Sequence, residues 1–150
     1  MELNWQTLAF YDLTHDQLYA IMMLRQEVFV VEQTCPYLDA DGYDQTALHL
    51  LGTNKDGKLM AYARLFRSGQ AYPQYASIGR VVTAPAVRGQ GLGYQLMDQA
   101  LLELIANFGP TPVKISAQAH LQDFYSKLGF VSVGEGYLED DIPHWAMVKK

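Results

Sequence analysis

The stretch Val81-Val82-Thr83-Ala84-Pro85-Ala86-Val87-Arg88-Gly89-Gln90-Gly91-Leu92-Gly93 carries the strongest structural signal in the chain. A strand-like run ends at Thr83, a short loop contains Pro85, and glycines alternate before a long segment with an apolar stripe. The first N–H groups of a helix have no partner, and glycine lets a backbone approach an anion closely. The stretch therefore predicts a phosphate-binding site at the start of a helix, with Arg88 as an added side-chain donor.

Two better-known phosphate loops do not match the sequence. The dinucleotide-binding fingerprint requires a glycine where this chain has Tyr94. Residues 52–58 imitate a P-loop, but Leu59 stands where that loop needs Ser or Thr for magnesium, and no helical pattern follows. We interpret residues 52–58 as a hairpin turn. The alternative for the three glycines near Arg88 is a tight turn with close helix packing.

The spacing of apolar and turn residues predicts seven strands and three helices. The strands are predicted over residues 4–9, 46–51, 58–66, 77–83, 113–117, 130–133 and 144–148. Thr14 and Gln17 have the spacing of a capping box, which predicts a helix that continues to Phe29. Further helices are predicted over residues 90–108 and 121–128. This order predicts an α/β (α+β) fold in which a single domain, residues 1–150, surrounds a mixed sheet.

Composition narrows the class of protein. The 150 residues are 49% hydrophobic and 18% charged, which is typical of one globular domain. The formal net charge of −5 and the scattered basic residues argue against a nucleic-acid partner. We see no signal peptide and no apolar run of about 20 residues, so we expect a cytoplasmic protein without a membrane partner. Cys35 is the only cysteine and the four histidines lack ligand spacing, so no disulfide and no metal site are expected.

Two segments together resemble the GNAT N-acetyltransferase superfamily. Arg88-x-x-Gly91-x-Gly93, between a strand and a long helix, is similar to the acetyl-CoA signature of that superfamily. Residues 118–130, with Phe124-Tyr125 followed by Gly129-Phe130, resemble its last motif. A closer resemblance, to the ElaA-like branch, is carried by Leu24-Arg25-x-x-Val28-Phe29-Val30-Val31-Glu32-Gln33, Cys35-Pro36-Tyr37, Ile78-Gly79-Arg80-Val81-Val82, Gln118-Ala119-His120 and Asp141-Ile142-Pro143-His144.

The resemblance implies a GNAT-like fold: a mixed, mostly antiparallel twisted sheet flanked by helices, with two central strands that splay apart. It implies that the pantetheine arm of CoA lies along residues 78–83 and that the thioester enters between the splayed strands. Gln118 stands where the family usually has Asn. The CoA-binding residues implied in this way are Val81, Val82, Thr83, Arg88, Gly89, Gln90, Gly91, Leu92, Gly93 and Gln118.

The activity implied is direct transfer of an acetyl group from acetyl-CoA, as cosubstrate, to a primary amine of a small molecule or a peptide. Tyr125 would protonate the departing thiolate, and the backbone N–H of Val82 or a neighbour would stabilise the oxyanion. A base must also receive a proton from the amine, and the candidates are Glu32, Asp41, His49, Glu139, Asp140 and His144. A nucleophilic Cys35 is a less simple route than direct transfer.

Two other kinds of protein would fit the same residues. One is a module that binds CoA or acyl-CoA without turnover, and the other is an interaction protein whose glycine loop binds a different anion. For His49, within an apolar strand, the structural alternative is a hydrogen-bonded core residue; for the acidic residues before His144, it is a solvated turn. A homodimer through the C-terminal strands is a plausible assembly for such a fold.

Overall fold

Local sequence signals account for the first strand and the first helix. The computed structural model describes residues 1–150, and its first strand, β1, covers Asn4–Ala9 as predicted. Helix α1 (His15–Arg25) begins at a capping box: the Gln17 backbone N–H donates to Thr14 Oγ1 at 3.0 Å, and the Thr14 N–H donates to Gln17 Oε1 at 2.9 Å. The predicted box is confirmed. The helix continues as a π-helical segment, Gln26–Glu32.

Four strands form an antiparallel sheet in the order β1-β2-β3-β4. Strands β2 (Leu48–Thr53) and β3 (Leu59–Phe66) are joined by the predicted hairpin turn, and all eight residues of β3 are buried. Strand β4 (Ser77–Thr83) pairs with β3 through a bulge, because Tyr62 lies opposite Val82 whereas Arg64 lies opposite Gly79. The bulge leaves two residues of β4 without a partner on β3.

A second antiparallel sheet has the order β5-β7-β6, with β5 at Val113–Gln118, β6 at Val131–Glu139 and β7 at Ile142–Lys149. The two sheets are joined by one parallel bridge, between Ala76 and Val113. Beyond this bridge β4 and β5 have no ladder between them. The predicted splayed strands and the mixed, mostly antiparallel architecture are therefore confirmed.

Helix α2 (Leu92–Phe108) packs its apolar stripe against β3 and β4. The buried residues of this stripe are Leu92, Leu96, Met97, Ala100 and Leu104. The helix was predicted to start at residue 90, but it starts at Leu92, because Gly91 is the N-cap and has a left-handed conformation with φ of 75°. Helix α3 (Gln122–Lys127) is shorter than predicted, since residues 119–121 form a 3-10 turn.

The C-terminal hairpin is longer than the sequence suggested. The predicted strands over residues 130–133 and 144–148 are extended into β6 and β7, which meet at a two-residue turn of Asp140 and Asp141. Both residues have positive φ, 51° and 63°, as a type I′ turn requires, and Asp tolerates this region better than most residues. Strand β6 lies at the sheet edge and exposes Val131 and Leu138. The predicted dimer through these strands stays a prediction.

None of the helices combines the length and the apolar character that crossing a bilayer requires.

Candidate active site

A cavity of about 590 Å³ opens where β4 and β5 separate. It is lined by β4, the start of α2, β5 and α3. The π-helical segment, the residues that follow it and the turn of the β6–β7 hairpin complete the lining. Its volume is within the usual range for a small-molecule or cofactor site.

The start of α2 presents free backbone donors at this cavity. The N–H groups of residues 89–94 donate no hydrogen bond within the protein. Gly89 and Gly91 have φ of 80° and 75°, and a Cβ at either position would meet no atom within 4 Å. Gly93 differs, because a Cβ there would lie 3.3 Å from the Phe124 ring. Close packing therefore explains Gly93, whereas the other two glycines shape an open, donor-lined concavity.

Two side chains that were predicted to bind CoA form hydrogen bonds with other side chains of the protein. Arg88 lines the cavity and donates two hydrogen bonds to the Glu32 carboxylate, at 2.8 Å and 2.7 Å. These hydrogen bonds lower the pKa of Glu32 below its usual value. The Gln118 amide also lines the cavity and pairs with the Gln33 amide, with donor–acceptor distances of 3.2 Å and 3.4 Å. Contacts of Arg88 and Gln118 with CoA stay predictions.

Tyr125 is buried in the wall that α3 contributes. Its ring packs edge-to-face against Phe124 and Phe130, with centroids 5.0 Å and 6.0 Å away. Its hydroxyl has no hydrogen-bond partner within the protein, and the residue lines the cavity. Burial raises the pKa of Tyr125 to about 12, so the phenol keeps its proton at neutral pH and is available as a hydrogen-bond donor.

The structure separates the six base candidates into two groups. Four line the cavity, namely Glu32, Glu139, Asp140 and His144. His49 does not, because its Nδ1 lies 2.6 Å from the Tyr62 hydroxyl and its Nε2 lies 2.8 Å from the Asp44 carbonyl oxygen. Burial lowers the pKa of His49, which agrees with the alternative that this residue is a hydrogen-bonded histidine of the core. Asp41 is also outside the cavity, bound by Arg64 at 2.5 Å and 2.8 Å.

Asp41 is moreover a poor proton acceptor. Burial alone would raise the pKa of its carboxyl, but hydrogen bonds from Arg64 outweigh burial and hold that pKa far below its usual value. Of the six base candidates, Asp41 and His49 are therefore unsuited to receive the proton. Arg64 binds Asp41, and the Tyr62 hydroxyl and the Asp44 carbonyl oxygen bind His49.

Sequence reasoning missed a largely buried network of three arginines and three aspartates beside the cavity: Arg25, Arg64, Arg80, Asp39, Asp41 and Asp44. At its centre, Asp44 Oδ1 accepts from Arg25 Nη1 at 2.7 Å and from Arg64 Nη1 at 3.0 Å. The Arg25 side chain is fully buried. The turn-like acidic stretch 39–44 thus supplies counter-ions to the core, which its composition alone does not indicate.

The outer part of this network reaches the cavity wall. Arg80, a cavity residue in the β4 bulge, has an unusual φ of 49°. Its Nε lies 2.8 Å from Asp39 Oδ1, and its Nη2 lies 3.4 Å from Asp41 Oδ2. Arg25 Nε donates to the second Asp39 oxygen at 2.7 Å. The ion pairs therefore fix the bulge to the 39–41 segment and to α1.

Known proteins share this architecture. A family model described as an acetyltransferase (GNAT) domain matches residues 15–150. The chain is 45% identical over 150 residues to the protein ElaA of Escherichia coli, and the alignment covers 99% of this chain and 97% of that protein. The crystal structure of Escherichia coli ElaA matches with a TM-score of 0.89 at 44% identity, over 99% of each chain. An acyl-CoA N-acyltransferase of Pseudomonas aeruginosa matches with a TM-score of 0.90 at 48% identity, over 99% of this chain and 100% of that one.

The chain belongs to the GNAT acetyltransferase family, and the resemblance to its ElaA-like branch is confirmed. Membership of this family supports acyl-CoA-dependent acyl transfer.

The network generates a prediction about stability. Asp44→Asn removes the carboxylate shared by two buried guanidinium groups, so we expect the free energy of unfolding to fall by about 3 kcal/mol. Asp98→Asn, an exposed carboxylate on α2 without an ion pair, is the control and should change it by less than about 0.5 kcal/mol. Urea denaturation measures both, and an Asp44→Asn variant as stable as the control would contradict the role of the network.

The same network predicts acid sensitivity. Burial raises the pKa of Asp44, but hydrogen bonding and the charge of Arg25 outweigh it, so the folded pKa lies below the unfolded one. The stabilisation is therefore complete above the ordinary Asp pKa of about 4 and is lost as pH falls below it. In Asp44→Asn the decline of unfolding free energy below pH 4 should be shallower than in the wild type.

Proposed function

We propose that this protein is an N-acetyltransferase that transfers an acetyl group from acetyl-CoA directly to a primary amine. The observation that carries the proposal is the row of free N–H groups at residues 89–94, which opens onto the cavity lined by Tyr125. Anion donors and a buried phenol in one cavity suit a ligand with a phosphate at one end and a leaving group at the other.

The diphosphate of CoA would occupy the concavity at the start of α2. Helix N-termini with free N–H groups favour anions, and the left-handed glycines allow several donors to converge on one group. Arg88 would add its guanidinium, exchanging the Glu32 carboxylate for phosphate oxygens, which the same planar fork can bind. Residues 88–93 would together hold the diphosphate.

The pantetheine arm would follow β4. Beyond Ala76 the edge of β4 that faces β5 has no strand beside it, so its backbone groups are free to pair with an extended ligand, as in β-strand addition. Val81 and Thr83 would provide these groups, and the Gln118 amide would contact the arm from the β5 side. The thioester would then lie in the gap between the two strands.

The chemistry needs a donor near sulfur and a donor near the carbonyl oxygen. A neutral amine attacks the thioester carbon, and a backbone N–H of Val82 or a neighbour would stabilise the oxyanion that develops. Collapse of this intermediate breaks the C–S bond. Tyr125, protonated because burial raises its pKa to about 12, would donate its hydrogen bond and then its proton to the departing thiolate.

The diphosphate site is tested by Gly91→Glu. The new carboxylate would stand within the donor-lined concavity and repel the diphosphate, so we expect CoA affinity to fall by at least about 100-fold. Gly57→Glu is the matched control, because Gly57 also has positive φ and open space around it but lies in the β2–β3 hairpin turn. Calorimetric titration with CoA measures both variants. Equal affinities in the two variants would show that the diphosphate binds elsewhere.

The role of Tyr125 is tested by Tyr125→Phe. We expect kcat for thiol release from acetyl-CoA to fall by about 100-fold, with the Kd for CoA unchanged, because only the departing thiolate needs the hydroxyl. Tyr94→Phe is the control: that ring packs against Phe124 at 4.7 Å but lies outside the cavity. If the two variants turned over at the same rate, Tyr125 would be a packing residue alone.

Turnover also separates this proposal from a CoA-binding module. A protein that only binds CoA has no need for the Tyr125 hydroxyl, which lines the cavity and has no hydrogen-bond partner within the protein. Thiol release from acetyl-CoA, measured with a panel of amines, should exceed the rate without amine. CoA binding without release for any amine would favour the module.

A further inference from the structure

His144 is buried in the cavity wall with one ring nitrogen left free. The residue is 6% exposed and lies on β7, facing Gln118 of β5 and Tyr137 of β6 in the sheet. Its Nδ1 lies 2.6 Å from the Ile142 carbonyl oxygen. Nε2 makes no hydrogen bond within the protein, and its nearest ionic neighbour is Glu139 Oε2, 3.5 Å away.

These contacts fix the tautomer of the ring. A carbonyl oxygen only accepts hydrogen bonds, so the proton of neutral His144 resides on Nδ1. Nε2 then carries a lone pair, and it lies beside Glu139, another residue of the cavity wall. Histidine is the side chain best suited to receive and release protons near neutral pH. A buried imidazole with a fixed tautomer is therefore a prepared proton acceptor.

The charges around His144 are unbalanced. Arg88 and Arg80, the arginines of the cavity wall, are paired with Glu32 and Asp39. Two further wall residues, Glu139 and Asp140, have no arginine or lysine partner.

Glu139 contacts a serine hydroxyl and an imidazole ring. Ser116 Oγ, which also shares a hydrogen bond with the Tyr137 hydroxyl, donates to Glu139 Oε1 at 3.2 Å. The other carboxylate oxygen faces His144, whose ring stacks on that of Tyr137. The part of the cavity near the β6–β7 turn is therefore anionic, and its carboxylates are available to a cation.

We propose that the acceptor is a primary alkylamine that bears a second cationic group. Glu139 would hold the reacting nitrogen beside His144, His144 Nε2 would take its proton, and Asp140 would bind the distal cation. This inference rests on the proposed acetyl transfer and names the acceptor class and the base for it. The anionic wall disfavours amines that carry a carboxylate, because like charges would meet there.

The proton balance follows from these positions. The ammonium of the acceptor gives one proton to His144 Nε2, which passes it to solvent at the half-exposed Glu139 side. The neutral amine forms the C–N bond to the acetyl carbon, and collapse of the resulting tetrahedral intermediate breaks the C–S bond. The second nitrogen proton leaves with the collapse of the intermediate and replaces the proton that Tyr125 gives to sulfur. The net products are the acetylated amine, CoA thiol and one proton.

Three primary amines of equal chain length test the acceptor class. At the same distance from the reacting nitrogen, 1,4-diaminobutane carries an ammonium, pentylamine a methyl group and 5-aminopentanoate a carboxylate. We expect calorimetric titration of the enzyme–CoA complex to give at least about tenfold tighter binding for the diamine than for pentylamine, and weakest binding for 5-aminopentanoate. Asp140→Asn should abolish the preference for the diamine. Asp141→Asn is the matched control, because this neighbour in the same turn is bound to Tyr37 and is not part of the cavity wall.

The base is tested by His144→Ala. We expect thiol release with acetyl-CoA and 1,4-diaminobutane to fall by about 100-fold, with CoA affinity unchanged and partial recovery on adding imidazole. His15→Ala, an exposed histidine on α1, should leave the rate unchanged and show no response to imidazole. A His144→Ala variant that loses activity without rescue would assign His144 a structural role and overturn the proposal for the base.

The remaining outcomes separate this inference from the proposed function. Equal binding of the three amines, or a diamine preference that survives in Asp140→Asn, would overturn the acceptor class. Failure of all three amines to bind, or no thiol release with the diamine, would also overturn the acceptor class. If CoA still bound in such a case, the proposed acyl-CoA site would be unaffected. Absence of CoA binding itself would overturn the proposed function.

Discussion

A largely buried network of three arginines and three aspartates holds together the parts of the chain that form the cavity. Moving a charge from water into a protein interior costs several kcal/mol, and a buried ion is tolerated only where partners surround it. The guanidinium of Arg25 has no contact with solvent, so Asp44 and Asp39 must remain beside it. The segment 39–44 is irregular and is fixed in place by this requirement. Helix α1, strand β3 and the β4 bulge are fixed through the same carboxylates.

The bulge links this network to the candidate chemistry. A non-glycine residue with positive φ is strained, and Arg80 adopts that conformation at the point where β4 stops following β3. Its ion pair with Asp39 compensates the strain. The bulge frees two residues of β4 from pairing with β3, next to the gap between β4 and β5. A constraint in the core thereby shapes the surface along which we expect the pantetheine arm to lie.

The network also connects the two halves of the cavity. The segment 33–41, which carries Asp39, reaches the β6–β7 turn through two contacts: Tyr37 donates to Asp141 at 2.5 Å, and Cys35 Sγ lies 3.6 Å from the Asp140 carbonyl oxygen. The proposed donor half, at β4 and α2, and the proposed acceptor half, at the hairpin turn, are thus held by one segment. We infer that substitutions in this segment affect both halves together.

Local signals in the sequence were sufficient for most of the fold and for the donor-lined start of α2. The capping box at Thr14, the apolar stripe of α2 and the glycine stretch each depend on residues close in sequence, and each was predicted. The length of β6 was not, because its two glycines and its acidic end have the composition of a turn, and pairing with β7 overrides that preference. The ion pairs were also missed, since they join residues up to 41 positions apart that no periodicity relates.

Contacts between residues distant in sequence also decided how much of the proposed site could be predicted. The cofactor half lies in two continuous motifs, so its residues could be named from the sequence. The amine half is assembled from a loop, a hairpin turn and single strand positions. Its candidates could be sorted only when the structure showed that Asp41 and His49 are bound to core partners, whereas His144 lines the cavity.

Hydrogen exchange of the backbone amides, followed with and without CoA, tests the central claim most directly. The N–H groups of residues 89–94 have no partner in the free protein and should exchange rapidly. We expect CoA to slow exchange in residues 81–94 and to leave the hairpin turn at residues 54–57 unchanged. CoA binding that leaves residues 89–94 exchanging at the rate of the free protein would contradict the claim that the start of α2 holds the diphosphate.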